Sequence, residues 1–530
     1  MQRPFHATGF YIQFSQELDL RQNARLHAFH RALRADLLPG VTDLGPGYVN
    51  LFVEYDQALV SGAAVREWAV RHLHSFTDGT FDGGAQTQGR LIELSVRYDG
   101  PDLPHVAERT GLSEAEVIRL HSGSEYHVYA VGFTPGFPFL GEVPEVLRLP
   151  RRSTPRASVP FNAVAIANAQ TCVYPLPSPG GWNLLGTALD TIYDPNRAEP
   201  FLIAPGDRVR FRPSEGETPP LPTVRETWAA EPRLPAFQVE KPGLLDLLMD
   251  GGRLSQAHVG LARSGPLDTR SAHFANGLVG NTPDAPLLEL TLRGPVLTAL
   301  RDLVVGVAGF GMRPEGQPMQ RSFRLRAGET LRFTSTQLGA RAYLAVAGGF
   351  EGAPFLGSCS TDLIGRVGRP LKAGDVLGLA SVQGALPGFA SLPLSLPQHI
   401  TLRLLPGPQA SLEALSALGR APFRVAGSDR MGLRLSGPEV PGGQVTSEAT
   451  PPGAVQVTPA GEPIILLSDR GRIGGYHKPA VVHPQDLPLA AQLRPGQLVS
   501  LQPDTAGTPE AWARRWFLDA QTSSTGEKIL

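Results

Sequence analysis

Apolar positions in the first hundred residues follow two different periods. In "LHAFHRALRADLLPG", Leu26, Phe29, Leu33 and Leu37 fall on one helical stripe, and in "AAVREWAVRHLHSF", Val65, Trp68, Ala69 and Leu73 do the same. Between and after these helices, "GYVNLFVEYD" and "GRLIELSVRYDG" alternate with the period of two that marks strands. Two helices interleaved with strands predict a small α+β sandwich over residues 1–112. A further helix is expected at "GLSEAEVIRLHSG", where Ser113 caps and Glu116 completes a capping box. Beyond His121 the helical period disappears. Short alternating runs separated by glycine and proline replace it and predict a β-rich remainder. Only "TPEAWARRWFLDAQ" reads as a helix again: Thr508 is the N-cap, Pro509 takes the first helical position, and Trp512 and Trp516 share a docking face. The last residues, "TSSTGEKIL", read as a frayed tail.

The β-rich part carries a weak repeat. "APGDRVRF", "RAGETLRF", "KAGDVLGL" and "RPGQLVSL" each place a glycine and a polar residue before an alternating strand. Glycine supplies the positive φ of the turn at Gly206, Gly328, Gly374 and Gly496. Gly206 and Gly374 lie 168 residues apart, as do Gly328 and Gly496. The spacing points to related barrel-like units in series, with chance coincidence among four short turns as the competing explanation. The proline- and acid-rich stretch "RPSEGETPPLPTVRETWAAEPRLPAF" reads as a linker, placed at residues 214–237.

Composition narrows the function classes. A chain of 530 residues exceeds what one core organises, so three or four domains are expected. Forty-eight basic against forty-nine acidic residues leave no electrostatic ground for nucleic acid or an anionic membrane as partner. Cys172 and Cys359 form no metal-ligand spacing and suit a reducing compartment. No leader pattern opens the chain, and the most apolar run, "LVVGVAGFGM", is too short to span a bilayer, so a cytoplasmic protein is expected. P-loop, Rossmann, HExxH and GxSxG patterns are absent. His72 and His74 point in different directions on their helix, so no metal site is assigned.

Three glycine-rich polar clusters remain. The first holds His121, "GFTPGFPFL" with Phe133, Pro135, Gly136, Phe137 and Phe139, "RRSTPR" with Arg151, Arg152 and Arg156, Gln170 and Thr171, and "PSPGGW" with Gly180, Gly181 and Trp182. Close arginines suit a carboxylate or phosphate, and glycine amides beside an aromatic wall suit an oxyanion. A solvated basic loop and a plain tight turn explain the same residues. "GFTPGFPFL" suits a pocket wall or a rigid barrel corner. The second cluster, "MDGGRLSQAHVGLARSGPLDTRSAHFANGLVGN", holds Asp250, Arg253, Ser264, Asp268 and Asn276. The third, "LLSDRGRIGGYHKPAVV", holds Asp469, Arg470, Gly474, Gly475, Tyr476 and Lys478, with surface ion pairing as the default for Asp469 and Arg470.

These same residues carry a resemblance. Residues 1 to about 213 resemble the KipI family, also called allophanate hydrolase subunit 1 or the B component of 5-oxoprolinase, through "HSGSEY", "GFTPGFPFLGEVPEVLRLPRRSTPRASVP" and "QTCVYPLPSPGGWNLLGTA". Residues from about 238 to 505 resemble its companion family KipA, also called allophanate hydrolase subunit 2 or the C component of 5-oxoprolinase, through "GLARSGPLDTRSAHFANGLVGN", "RAYLAVAGGF", "PGAVQV" and "SDRGRIGGYHKPAVV". The chain thus looks like a fusion of two subunits. The resemblance implies a mainly β fold: an N-terminal α+β domain at 1–112 and tandem cyclophilin-like β barrels at 113–213, 238–395 and 396–505, followed by a C-terminal helix and tail at 506–530. It also implies ATP-dependent opening of 5-oxoproline to glutamate, with ATP, accompanied by Mg, as co-substrate and a LamB/YcsF-type third subunit as partner. On that reading His121, Arg152, Asp250 and Asp469 are the candidate catalytic residues, His121 as a proton carrier, and the other polar, glycine and aromatic residues of the clusters bind substrate or phosphate. "RRSTPR" and "PSPGGW" should then line one cleft, and Phe137→Ala should impair binding more than folding.

Two other functions share these domains: the carboxyltransferase half of a biotin-dependent urea carboxylase, and a regulatory binder of a histidine kinase. No Met-Lys-Met biotin site is present in this chain. A homo-oligomer is a further arrangement the resemblance admits. The chain departs from the family where Asn162, Ala165, Asn168, Ala169 and Cys172 replace glycine or small residues, and where Met249 replaces an amide. Larger side chains there are expected to intrude on ligand space.

Overall fold

The computed structural model describes residues 8–77, 89–389 and 394–520. The tail beyond residue 520 lies outside them. The N-terminal unit is a four-stranded sheet in the order Val41–Pro46, Asn50–Tyr55, Gly9–Gln13, Phe517–Asp519. Helices Leu20–Ala35 and Gly62–Thr77 supply Leu26, Phe29, Leu33, Val65, Trp68 and Leu73 to the core on one face, where they meet Phe10 and Ile12. Strand alternation turns Tyr11 and Phe52 to the other face and toward the next unit. Leu37 does not join the stripe; the helix ends before it and it is 37% exposed. The fourth strand comes from the far end of the chain: Phe517–Asp519 pairs in parallel with Tyr11–Gln13.

The first barrel is closed, with seven strands in the order Asn183–Ala188, Leu91–Arg97, Arg208–Pro213, Glu125–Val131, Pro138–Gly141, Gln170–Val173, Ala163–Ala167. Leu91–Arg97 therefore belongs to the barrel and not to the N-terminal sandwich, and the boundary expected after residue 112 moves ahead of this strand. Its parallel partner is Arg208–Pro213, more than a hundred residues away, while Leu94 and Val96 point into the barrel core. Helices Leu103–Thr110 and Glu114–Ser122 pack on the same core, and the Ser113–Glu116 capping box is formed.

Residues 214–237 form a docked strap and not a free linker. Arg225 bridges Val367, Thr227 accepts from the Ala353 amide at 2.7 Å, and a strand begins at Pro235. The following unit differs from the expected barrel: among the described residues it is a sandwich of a four-stranded and a five-stranded sheet. Leu248, Leu288, Leu290, Val305 and Leu344 fill the space between the sheets, and Leu247 and Met249, on alternate positions, face helix Thr269–Leu278.

The second barrel closes seven strands between Ile400 and Pro503. Its last strand, Leu498–Pro503, runs parallel to its first, Ile400–Pro406, just as Arg208–Pro213 runs parallel to Leu91–Arg97. The turns before these two strands hold Gly206 at φ +85° and Gly496 at φ +88°. They are the equivalent pair. The 168-residue spacing is not the structural repeat, because Gly374 precedes Val376–Gly378, whose pairing within its sheet is antiparallel to Pro235–Lys241. Helix Pro509–Trp516, capped by Thr508, then buries Trp512 in the second barrel and Trp516 against the first.

Candidate functional site at the interbarrel cleft

The two barrels face each other across a cleft of about 520 Å³. The first barrel contributes Phe133, Phe137 and Phe139, Arg151, Arg152 and Pro155, and Pro179–Trp182; the second contributes Arg434, Thr450, Gln456, Arg470 and the run Ile473–Tyr476. "GFTPGFPFL" shapes this wall by local conformation. Phe133 and Gly136 are left-handed, at φ +67° and +74°. The Gly136 amide donates to Val259 O at 2.9 Å, and a Cβ on Gly132 would lie 2.2 Å from Ile473. The loop is thus a corner pressed against the other half of the chain, with Pro135 buried behind it. Phe137 is 2% exposed and packs edge-on against Tyr174, ring centroids 5.0 Å apart, whereas Phe133 is 38% exposed. Phe137 is therefore a core residue as well as part of the cleft wall, so Phe137→Ala is expected to impair folding at least as much as binding.

The arginines are unequal. Asp102, buried at the start of a barrel-capping helix, accepts from Arg152 and Arg156 at 2.8 Å each and from the Leu184 amide at 2.8 Å. Across the cleft Arg470 is buried, donates to Thr450 O at 2.9 Å and pairs with Glu54 at 3.3 Å; burial lowers its pKa to about 10. Arg434 lies 3.5 Å from Asp429. Among the described residues, Arg151 lines the cleft with no hydrogen bond or ion pair. Gly180 is required by packing, since a Cβ would fall 2.4 Å from the Tyr174 hydroxyl, and the Gly181 carbonyl accepts from the Arg152 amide at 2.7 Å.

Comparison with known proteins divides the chain at the same place. The carboxyltransferase domain family matches twice, as subdomain C and D over residues 2–203 and as subdomain A and B over residues 259–503. The B component of 5-oxoprolinase from Escherichia coli O157:H7 is 50% identical over 211 residues, covering 39% of this chain and 93% of that protein. The C component of 5-oxoprolinase from Escherichia coli K12 is 34% identical over 277 residues, covering 49% of this chain and 89% of that protein. The chain belongs to the family of 5-oxoprolinase B and C components, with the two fused. The crystal structure of TTHA0988 matches across the fusion, at 53% identity and TM-score 0.89, covering 94% of this chain and 100% of that one. The cleft is lined from both the B-type and the C-type half.

Several predicted site residues lie elsewhere. In the B-type half His121 is fully buried, stacked on Phe211 with centroids 4.7 Å apart. Thr171 donates to Ala165 O, so His121 Nε2–H donates to Thr171 at 2.9 Å and Nδ1 accepts from Tyr98 at 2.8 Å. Burial pushes its pKa down to about 3. It is a sealed neutral imidazole and not a proton carrier for the cleft. Gln170 is turned toward the Tyr48 hydroxyl, 2.8 Å away.

In the C-type half the second cluster is interior. Asp250 accepts from Ser358, Ser360 and the Cys359 and Gly252 amides; burial raises its pKa, but these donors outweigh burial and hold it below the usual range. Arg253 is fully buried and donates to the carbonyls of Phe355, Ser358 and Ser360. Ser264 is buried at φ +58°. Asp268 caps helix Thr269–Leu278 and accepts from Gln492 at 2.7 Å, and Asn276 donates to Pro283 O and Ala285 O, each at 2.9 Å. Asp469 pairs with Arg430, which also reaches Glu289 and Gly265 O, joining the second barrel to the sandwich. Lys478 is buried against Glu448 at 2.8 Å. None of these side chains lines the cleft; Gly474, Gly475 and Tyr476 do.

The departures from the family do not fill the cleft either. Asn162 and Asn168 occupy left-handed positions, at φ +60° and +52°, that asparagine tolerates better than other side chains. Ala165 and Cys172 are buried, Ala169 follows the Asn168 turn, and Met249 packs under the sandwich helix. Residues that sequence reasoning passed over include Asp102, Glu448 and Gln456. Gln456 left a readable signal: in "AVQV" it is the polar position of an alternating strand whose valines fill the barrel core.

Proposed function

We propose that this chain is the fused B and C component of an ATP-dependent 5-oxoprolinase, acting with a third subunit of the LamB/YcsF type. The cleft built from both halves carries the reading, together with the names of the relatives that each half matches. Its exposed Phe133, its aromatic wall and the unpaired Arg151 suit a small ring bearing a negative charge. The lactam of 5-oxoproline is resonance-stabilised and unstrained, so its opening needs activation. Transfer of the γ-phosphoryl group from MgATP to the lactam oxygen releases ADP. Water attack on the activated carbon and cleavage of the C–N bond open the ring, and a second water releases phosphate to leave glutamate. Guanidinium groups aimed at developing negative charge lower the barrier of such steps. Dependence on ATP fits a cytoplasmic setting, and among the described residues no helix is long and apolar enough to cross a membrane. The test mixes the full chain with the third subunit, 5-oxoproline and MgATP and measures glutamate and ADP. Stoichiometric formation of both is expected, and an assembled complex without turnover overturns the reading.

A further inference from the structure

Resting on that reading, we infer that Gln456 is the specificity-determining residue that reads the lactam edge of the substrate, while Arg151 holds its carboxylate. Gln456 is 8% exposed, lines the cleft, and its Nε2 is a buried donor with no partner. An unmade buried hydrogen bond costs free energy, and of the buried side-chain atoms without a partner among the described residues this is the one that belongs to a cleft-lining residue. Its position is built. Val455 and Val457 anchor the strand in the barrel core, and Gly474 leaves the room its amide occupies, since a Cβ there would lie 2.5 Å from Nε2.

A primary carboxamide presents one N–H and one C=O side by side, whichever way the group is turned. A lactam is locked with its own N–H and C=O on the same side, so the two edges fit as a pair of hydrogen bonds. An open-chain amide in its ordinary trans form offers no such edge. Arg151, on the opposite wall, is the cleft guanidinium left without a counter-ion among the described residues. A ligand carrying both a cyclic amide and a carboxylate satisfies both groups, and two-point recognition of this kind rejects analogues that leave a buried donor unpaired.

The test measures binding of L-5-oxoproline, N-methyl-5-oxoproline and cyclopentanecarboxylate to the full chain by calorimetry, with Gln456→Leu, Arg151→Ala and a thermal melt of each variant. The wild type should bind 5-oxoproline best. Gln456→Leu should weaken 5-oxoproline by roughly tenfold to a hundredfold, the worth of two hydrogen bonds, leave cyclopentanecarboxylate unchanged and keep a wild-type melt. Arg151→Ala should weaken all three ligands. Absence of 5-oxoproline binding to the wild type, or an unchanged preference for it in Gln456→Leu, overturns the assignment. Gln456-dependent binding with no turnover in the assembled complex overturns the 5-oxoprolinase reading instead. Turnover that Gln456→Leu leaves intact overturns this inference and spares that reading.

Discussion

The glycine-rich polar cluster of the first barrel and the charged residues Asp250, Arg253, Asp469 and Lys478 of the C-type half are of the same residue types, yet the first opens on a cleft and the others are sealed. Among the described residues Arg151 faces the cleft without a counter-ion, whereas Arg430 sits between Asp469 and Glu289 with all three side chains buried. Asp250 and Arg253 bond mainly to one another's surroundings inside the sandwich and Arg253 keeps one guanidinium nitrogen without a partner among the described residues, whereas the donor left over on Gln456 belongs to a residue that lines the cleft. Counter-charge and exposure, not residue type, separate a binding surface from an interlock. A desolvated charge that the protein has already paired holds domains together; one left unpaired at a concave surface is available to a ligand.

Acid should separate the two regions most strongly. Burial is the first cause that lowers His27 to about 3, His127 to about 4 and His258 to about 3, and these histidines lie where the first helix meets the first barrel and the sandwich. Each is neutral in the fold, while the unfolded chain takes up protons below its ordinary pKa of about 6.5. Their contribution to stability is therefore complete above about pH 6.5 and lost as pH falls toward the folded values of 4 and 3. Chemical denaturation between pH 7 and 5 should show a loss of up to about 1.4 kcal/mol per pH unit for each histidine, offset in part by Asp246 and Asp362, whose carboxyls burial raises to about 7 and about 6 and which take up protons in the fold over the same range. A flat profile would detach the seams from this account. Arg430→Ala, which leaves Asp469 buried without its cation and Glu289 with only the longer pair to Arg341 at 3.7 Å, should lower stability by about 3–5 kcal/mol in urea titration. Phe137→Ala should cost about 3 kcal/mol through its cavity, and Phe133→Ala less than about 1 kcal/mol while weakening ligand binding. Smallest in stability, Arg151→Ala should change the unfolding free energy by no more than about 0.5 kcal/mol, since no partner among the described residues is lost. A large destabilisation there would turn the cleft cluster into another interlock.

Local signals in the sequence were legible because their causes are local. The stripes of Leu26, Phe29 and Leu33 and of Val65, Trp68 and Leu73, the Ser113–Glu116 box, the Thr508–Pro509 start and the left-handed glycines of the four turns all follow from spacing and backbone chemistry. What escaped depends on distant partners. Nothing near Leu91–Arg97 announces a parallel partner at Arg208–Pro213, and nothing in "RWFLDA" announces that Phe517–Asp519 completes the first sheet. For the site, the joining of "RRSTPR" with "PSPGGW" was readable as a family pattern, but the counter-ions were not. Asp102 neutralises Arg152 and Arg156 from a helix start some fifty residues earlier, and the burial that seals His121 comes from Phe211, Tyr98 and Thr171 together.

On the proposed function, one cleft shared by the two halves takes the substrate. A crystal structure of the full chain with bound 5-oxoproline tests it most directly. The ligand is expected between the two barrels, its carboxylate on Arg151 and its lactam edge on Gln456; a ligand held instead by Asp250 and Arg253 in the sandwich, with the cleft empty, would overturn the proposal.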